Sequence, residues 1–203
     1  MATLPTSTLV ADLHGKYYKH AAAGRVFHGS TAAAGVVIPI STTLTPTFSF
    51  WNPAGSETNA VLIGLTVGWS ATTAALGTIG YSYTANAGAT ISTTAPYVAF
   101  GTGTPVNGLV SQGNQSKMKF AGGGTTTLVA AATWFRGTGF SVTATTAATA
   151  TGPGWCWRDD IDGAVIVPPS TGIHVFGSTA IAITATMTLS WIEVPANDQE
   201  FGA

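Results

Sequence analysis

Residues 181–191 read IAITATMTLSW, and this stretch decides the fold class. The larger apolar side chains stand at every second position, as Ile181, Ile183, Ala185, Met187, Leu189 and Trp191. Alanine, threonine or serine fills the positions between them. Successive side chains of a strand point to opposite faces, so the alternation places the apolar groups on one face. The stretch therefore predicts a long strand with one buried face.

The same two-residue period occurs in two other segments. It places Val61, Ile63, Leu65, Val67 and Trp69 on one face of a strand, and Ile79, Tyr81 and Tyr83 on one face of another. Shorter strand candidates are residues 25–28, 36–40, 47–51, 128–135, 164–167 and 173–176. No segment combines a helical period with capping residues, and threonine and valine suit a half-buried pleated surface. The pattern predicts about nine strands.

Glycine, proline and asparagine turns separate these segments, which is typical of an antiparallel β-sandwich. We expect an all-β fold of jelly-roll type. Two connections, residues 85–124 and 137–162, are longer than usual, and we expect these loops to cross subunit boundaries or project outward. The expected organisation is an N-terminal arm over residues 1–24 and one sandwich domain over residues 25–203.

Charged residues make up only 7% of the 203 residues, against about 25% in ordinary soluble domains. The formal net charge is −1, and the mean hydropathy is +0.33. Such a surface favours association with other protein, so we expect a homo-oligomer. The absence of a basic excess argues against a nucleic-acid partner. Apolar runs fall short of a membrane span, and residues 1–5 do not resemble a secretion signal.

Motifs for catalysis or metal binding are missing from the sequence. Asp159, Asp160 and Asp162 precede Gly163, but aligning that glycine with a calcium-binding loop puts Arg158 at the first ligand position. Four histidines lack metal-ligand spacing, one cysteine excludes an intrachain disulfide, and no nucleophile elbow or phosphate loop is present. We expect no enzyme activity, catalytic residue, metal or cofactor.

Two segments concentrate the polar and aromatic side chains. The first lies in and just after the arm, and its interface candidates are Lys16, Tyr17, Tyr18, Lys19, His20 and Arg25. The second lies in the long loop, and its contact candidates are Trp155, Trp157, Arg158, Asp159 and Asp160. Tyrosine, tryptophan and arginine are favoured at interface centres. The alternatives are a disordered tail for the first segment, and core packing or glycan stacking for the two tryptophans.

Two stretches resemble a known family. Residues 51–56 read WNPAGS ahead of an alternating strand, and residues 165–176 read VIVPPSTGIHVF ahead of the final strand. Both are similar to segments of small jelly-roll structural proteins of tailed bacteriophages. The resemblance implies a capsid decoration or cement protein, assembled in the host cytoplasm as a homotrimer and bound to the major capsid protein in the virion. The alternative is a carbohydrate- or receptor-binding module of a phage particle.

Overall fold

The computed structural model describes residues 15–71, 77–85, 97–101, 103–109, 116–123, 126–142, 156–179 and 184–197, without side chains at 69–71, 97–99 and 139–142. Its one described helix is α1 (Tyr18–Ala22). The first sheet contains β1 (Val26–Ser30), β2 (Val36–Val37), β4 (Thr58–Ala71), β7 (Val106–Asn107), β11 (Cys156–Asp160), β12 (Ile166–Val167) and β14 (Thr184–Pro195). The second contains β3 (Phe48–Asn52), β5 (Gly77–Ala85), β8 (Lys119–Gly122), β10 (Thr133–Val142) and β13 (Thr171–Gly177). A small third sheet pairs β6 (Tyr97–Ala99) with β9 (Thr127–Leu128).

The two larger sheets confirm the predicted all-β sandwich. The order is β11-β4-β14-β1-β7 in the first sheet and β10-β5-β13-β3-β8 in the second, and every pairing between these strands is antiparallel. β12 extends the line of β11 along β4, and β2 pairs with the start of β14. No helix in the described part of the chain has the length and apolar character needed to cross a bilayer.

β14 confirms the strand predicted from the opening stretch. It lies at the centre of the first sheet between β4 and β1. Ala185, Met187, Leu189 and Trp191 all belong to the main hydrophobic core between the sheets, as their spacing predicted. The predicted core positions at residues 181 and 183 lie outside the described residues.

β4 corrects one prediction about faces. Its alternation is interrupted between Leu62 and Gly64, which pair with consecutive residues of β14 and leave Ile63 as the extra residue of a β-bulge. Leu62 and Leu65 therefore both face the main core, whereas Val61 and Ile63 belong to a cluster outside it. The expectation that Val61 and Ile63 share a face with Leu65 was wrong because the bulge reverses the facing.

Residues 128–135 are not one strand as expected. Leu128 ends β9 in the small sheet, and a new strand, β10, begins at Thr133 in the second sheet. Leu128 and Phe176 form a separate buried cluster, against which Trp51 and Trp134 pack. The chain bends between β9 and β10, so one continuous β-prone segment forms a strand of the small sheet and then a strand of the second sheet.

Aromatic rings from both sheets join in the main core. Phe50 of β3 meets Trp191 of β14 edge to face at 4.8 Å between ring centroids, and Phe48 meets Phe120 at 5.1 Å. Such pairs add roughly 0.5–1.5 kcal/mol to the benefit of burial. Gly29 of β1 leaves room for Phe120, because a Cβ there would stand 2.6 Å from the ring.

The NPAGS segment forms the corner that carries the chain from β3 to β4, between the two sheets. The Asn52 amide group is fully buried and donates to the carbonyl oxygens of Thr58 at 2.7 Å and Val167 at 2.8 Å. Its side-chain oxygen accepts from the Ser56 hydroxyl at 2.5 Å. The backbone N–H of Ser56 donates to the Pro53 carbonyl and closes the turn. The corner is therefore held by side-chain hydrogen bonds as well as by its backbone turn.

Candidate functional site

The second candidate segment lies in a strand rather than in a loop. Trp157, Arg158, Asp159 and Asp160 belong to β11, which pairs with residues 64–68 of β4 at the edge of the first sheet. The remaining candidate, Trp155, lies outside the described residues. A contact role for this segment stays a prediction. Its described residues lie in a paired strand at a sheet edge, so the direction of each side chain is fixed by the strand.

Side chains alternate along β11, as expected for neighbouring residues on an extended chain. Trp157 packs against the main core and Asp159 is buried. Arg158 and Asp160 point outward and form an ion pair, with the Arg158 Nε atom 2.5 Å from the Asp160 carboxylate. Their side chains are 59% and 63% exposed, so solvent screens the attraction strongly.

Asp159 links the two sheets. One carboxylate oxygen accepts a hydrogen bond from the Tyr81 hydroxyl of β5 at 2.9 Å, and the other accepts from the Arg136 guanidinium of β10 at 3.0 Å. Burial, together with the Asp159 charge, raises the pKa of the Tyr81 hydroxyl above its ordinary value. Since both partners donate to Asp159, the cluster is a structural bridge between β11 and the second sheet.

His174 and Ser49 make a hydrogen-bonded pair on the face of the second sheet that points away from the main core. The His174 Nδ1 atom lies 3.0 Å from the Ser49 hydroxyl, and Nε2 lies 3.1 Å from the Thr84 hydroxyl. The strand neighbours of His174, which are Ile173 and Val175, face the main core on the other side of the sheet. Burial lowers the pKa of His174 to about 3. Because His174 and Ser49 are fully buried, this pair suits strand cohesion rather than nucleophilic catalysis.

Glu193 is a buried carboxylate that the sequence analysis did not single out. Its side-chain oxygens accept from the Ser116 hydroxyl at 2.5 Å, the Lys117 backbone N–H at 3.0 Å and the Trp191 indole N–H at 3.1 Å. These bonds fasten the chain ahead of β8 to the last strand. The sequence pattern could have identified Glu193 as a core-facing carboxylate, because it follows Trp191 at the two-residue spacing of the core-facing positions.

The described end of the predicted arm lies against the first sheet. Tyr17 and Ala21 pack on the outer cluster of Val26, Ile63, Ile192 and Val194, on the side of the sheet away from the main core. This contact shows how the arm segment joins the sandwich. Whether the arm also docks on a partner stays a prediction.

Asp162 anchors the start of that segment. Its carboxylate accepts a hydrogen bond from the Tyr17 hydroxyl and forms an ion pair with Lys16 at 3.0 Å. These two contacts hold the pKa of Asp162 below its ordinary value, the Tyr17 bond contributing most. The carboxylate sits in a turn where Asp162 and Gly163 both have positive φ angles, 51° and 85°. The acidic cluster thus contributes a turn and an anchor for the arm.

The other arm candidates divide by exposure. Tyr18, Lys19 and Arg25 are exposed, whereas His20 is half-buried. Burial, with help from the nearby Arg25 and Lys19 charges, lowers the pKa of His20. The exposed three offer an aromatic ring and two cations to a partner.

Exposed aromatic rings mark the edge of the sandwich beside Asp159. Phe135 of β10 is 40% exposed and Tyr83 of β5 is 38% exposed, and their ring centroids stand 5.8 Å apart. Other exposed apolar side chains are those of Val37, Leu44, Val106, Val129 and Ile166. The Phe135 and Tyr83 pair is therefore an exposed aromatic patch on the edge strand β10 and its neighbour β5.

No group of three histidine, cysteine, aspartate or glutamate side chains among the described residues could share a metal ion. The comparisons with known proteins give no assignment: no family model matches the chain, and neither curated proteins nor solved structures match it.

Proposed function

We propose that this chain is a non-enzymatic structural subunit of a virion, a homotrimeric jelly-roll decoration or cement protein that binds the major capsid protein and stabilises a phage head. The virion assignment starts from the resemblance of residues 51–56 and 165–176 to phage structural proteins. Strand order, surface charge and the nature of the buried polar groups support it.

The nesting of the eight main strands is the observation that carries the proposal. In chain order these strands are β1, β3, β4, β5, β10, β11, β13 and β14. The first pairs with the last, the second with the seventh, the third with the sixth and the fourth with the fifth. A long antiparallel hairpin rolled into two sheets would give this order, so the nesting supports the jelly-roll part of the proposal, and jelly rolls are used by capsid and lectin domains.

The small number of charged side chains, some of them buried inside the sandwich, also favours a subunit of an assembly. The chain has seven basic and eight acidic residues, and Asp159 and Glu193 are buried in contacts with other elements. Arg136 turns towards Asp159, with only 32% of its side chain exposed. A surface this poor in charge associates readily with other protein.

Docking on the capsid is assigned to the arm segment. Tyr18, Lys19 and Arg25 are exposed beside the first sheet, while Tyr17 fixes the segment to the sandwich. Aromatic and basic side chains held on a folded base lose less entropy on binding than the same groups on a free chain. The proposed partner surface is the major capsid protein.

Glycan or receptor binding is the rival proposal. It depends on Trp155, Trp157 and the long loops, and Trp157 is half-buried and packs against the main core, which leaves only part of its ring for a sugar. A glycan array with the purified protein separates the two proposals, since a decoration protein is expected to bind no sugar on it.

Sedimentation and capsid binding test the proposal. The full chain at micromolar concentration is expected to sediment as a trimer, and to copurify with heads of its phage at defined lattice positions in electron cryomicroscopy. Joint replacement of Tyr18 and Lys19 by alanine is expected to weaken capsid binding without changing the far-ultraviolet circular dichroism. Val129→Ala is the matched control, and it is expected to bind like the wild type. A monomer that does not bind heads would overturn the proposal.

A further inference from the structure

Among the described strands, β10 is one of the two outer strands of the second sheet, and β8 is the other. β10 runs for ten residues, and β5 is its partner among the described strands. The other long side of an edge strand presents backbone N–H and C=O groups that can pair with a further strand. β10 is thus a candidate surface for sheet extension.

Residues 133–142 carry few of the features that protect edge strands from association. They contain no proline and no lysine, and their one charged residue is Arg136. That charge is paired with Asp159 inside the same chain. Irregular pairing with β5 does occur on either side of Arg136. At the first irregularity Phe135 is an extra residue of β10 without a paired residue in β5, and its exposed ring lies beside Tyr83.

The adjoining edge of the first sheet is β11, and its charges disfavour a strongly charged partner. Arg158 and Asp160 are exposed there with opposite signs, and Arg136 and Asp159 are likewise of opposite sign. The edge formed by β10 and β11 therefore has no net charge. It does not attract a strongly basic or acidic partner, whereas a second copy of a chain with net charge −1 meets no substantial repulsion.

We infer that the β10–β11 edge is a contact between copies of this chain, in which β10 pairs with backbone of a second copy and Phe135 is buried. The inference deepens the proposed function and rests on its claim of self-association.

Lysine substitutions test the contact. Phe135→Lys and Thr133→Lys each place a charge on an exposed position of β10, and we expect each to raise the dissociation constant of the oligomer at least tenfold. Val129→Lys is the matched control, because Val129 is 64% exposed, apolar and outside β10 and β11. Sedimentation velocity over a concentration series measures all four proteins, and circular dichroism checks their folding.

Hydrogen exchange of the unmodified protein provides a second measurement that does not depend on the variants folding. Backbone amides of residues 133–138 are expected to exchange more slowly at concentrations where the oligomer forms. A wild-type monomer would overturn both this inference and the proposed self-association. If the wild type is an oligomer, three results would overturn the inference alone. Both β10 variants could keep the oligomer, or Val129→Lys could disrupt it equally. The third result is that the β10 amides exchange at the same rate at every protein concentration.

Discussion

Replacement of Asp159 by alanine should destabilise the sandwich far more than replacement of its neighbour Asp160. Asp159→Ala leaves the buried Tyr81 hydroxyl without its acceptor, which costs about 1–3 kcal/mol. It also removes a charge-assisted bond to Arg136, worth about 1.5–3 kcal/mol when buried and less here because the guanidinium is part-exposed. We expect a total loss of about 2–4 kcal/mol in the free energy of unfolding.

Asp160→Ala is the matched control, since it removes the same carboxylate one residue along the same strand. Its ion pair with Arg158 is exposed, so the expected loss is about 0–1 kcal/mol. Thermal unfolding followed by circular dichroism, at equal protein concentration, measures both. A loss of 2–4 kcal/mol corresponds to a fall of about 4–16 °C in Tm for a chain of this length.

A conservative variant separates the hydrogen bonds from the charge. The amide of Asp159→Asn can accept from Arg136 and donate to the Tyr81 oxygen, so we expect a Tm between those of the wild type and Asp159→Ala. Equal Tm values for the Asp159→Ala and Asp160→Ala proteins would refute the bridge between the sheets.

Three further predictions concern the core and its polar contacts. Leu189→Asp should abolish soluble expression because it buries an unpaired charge, whereas Thr186→Asp on the other face should be tolerated; similar yields would contradict the assigned faces of β14. The depressed pKa of His174, about 3, means that the unfolded chain takes up a proton near pH 6.5 and the folded chain does not. The free energy of unfolding should therefore decrease as the pH is lowered from about 6.5 to 3, by up to about 1.4 kcal/mol per pH unit. Denaturant titrations at several pH values measure this decrease, and His174→Gln should remove the contribution of His174 to it. Asn52→Ala should lose about 2–4 kcal/mol by urea unfolding, because two buried carbonyl oxygens lose their donor, and a loss below about 1 kcal/mol would contradict the corner's role.

Strand periodicity explains which parts of the fold were predictable. β14 was predicted because its alternation is regular from Thr184 to Trp191 and depends only on one buried face. The faces of β4 were not predicted, since the bulge at Ile63 depends on contacts with distant parts of the chain. The Ile63 carbonyl accepts the backbone N–H groups of Ile161 and Asp162, about one hundred residues away in the chain, and local sequence does not encode that pairing.

The candidate sites show the same division. Asp159 and Asp160 are adjacent on one strand, so alternation alone places their side chains on opposite sides, as their contacts show. The partners of Asp159 could not be predicted, because Tyr81 is 78 residues away and meets it only when the two sheets pack. Glu193 could have been found from its core-facing position, but its Ser116 partner also depends on the packed fold.

Burial of charge stabilises this sandwich and, under the proposed self-association, also affects the contact between copies. Asp159 and Glu193 accept hydrogen bonds from distant segments, and each fastens an element that local propensity leaves loose: β11 at one sheet edge and the chain before β8 at another. Every charge used in this way is withdrawn from a surface that has few to begin with. The β10–β11 edge is where both effects meet, because the salt bridge that joins the sheets also neutralises the single charge on β10. A variant that frees Arg136 from Asp159 should therefore weaken the sandwich and, by returning a charge to the edge, weaken association between copies as well.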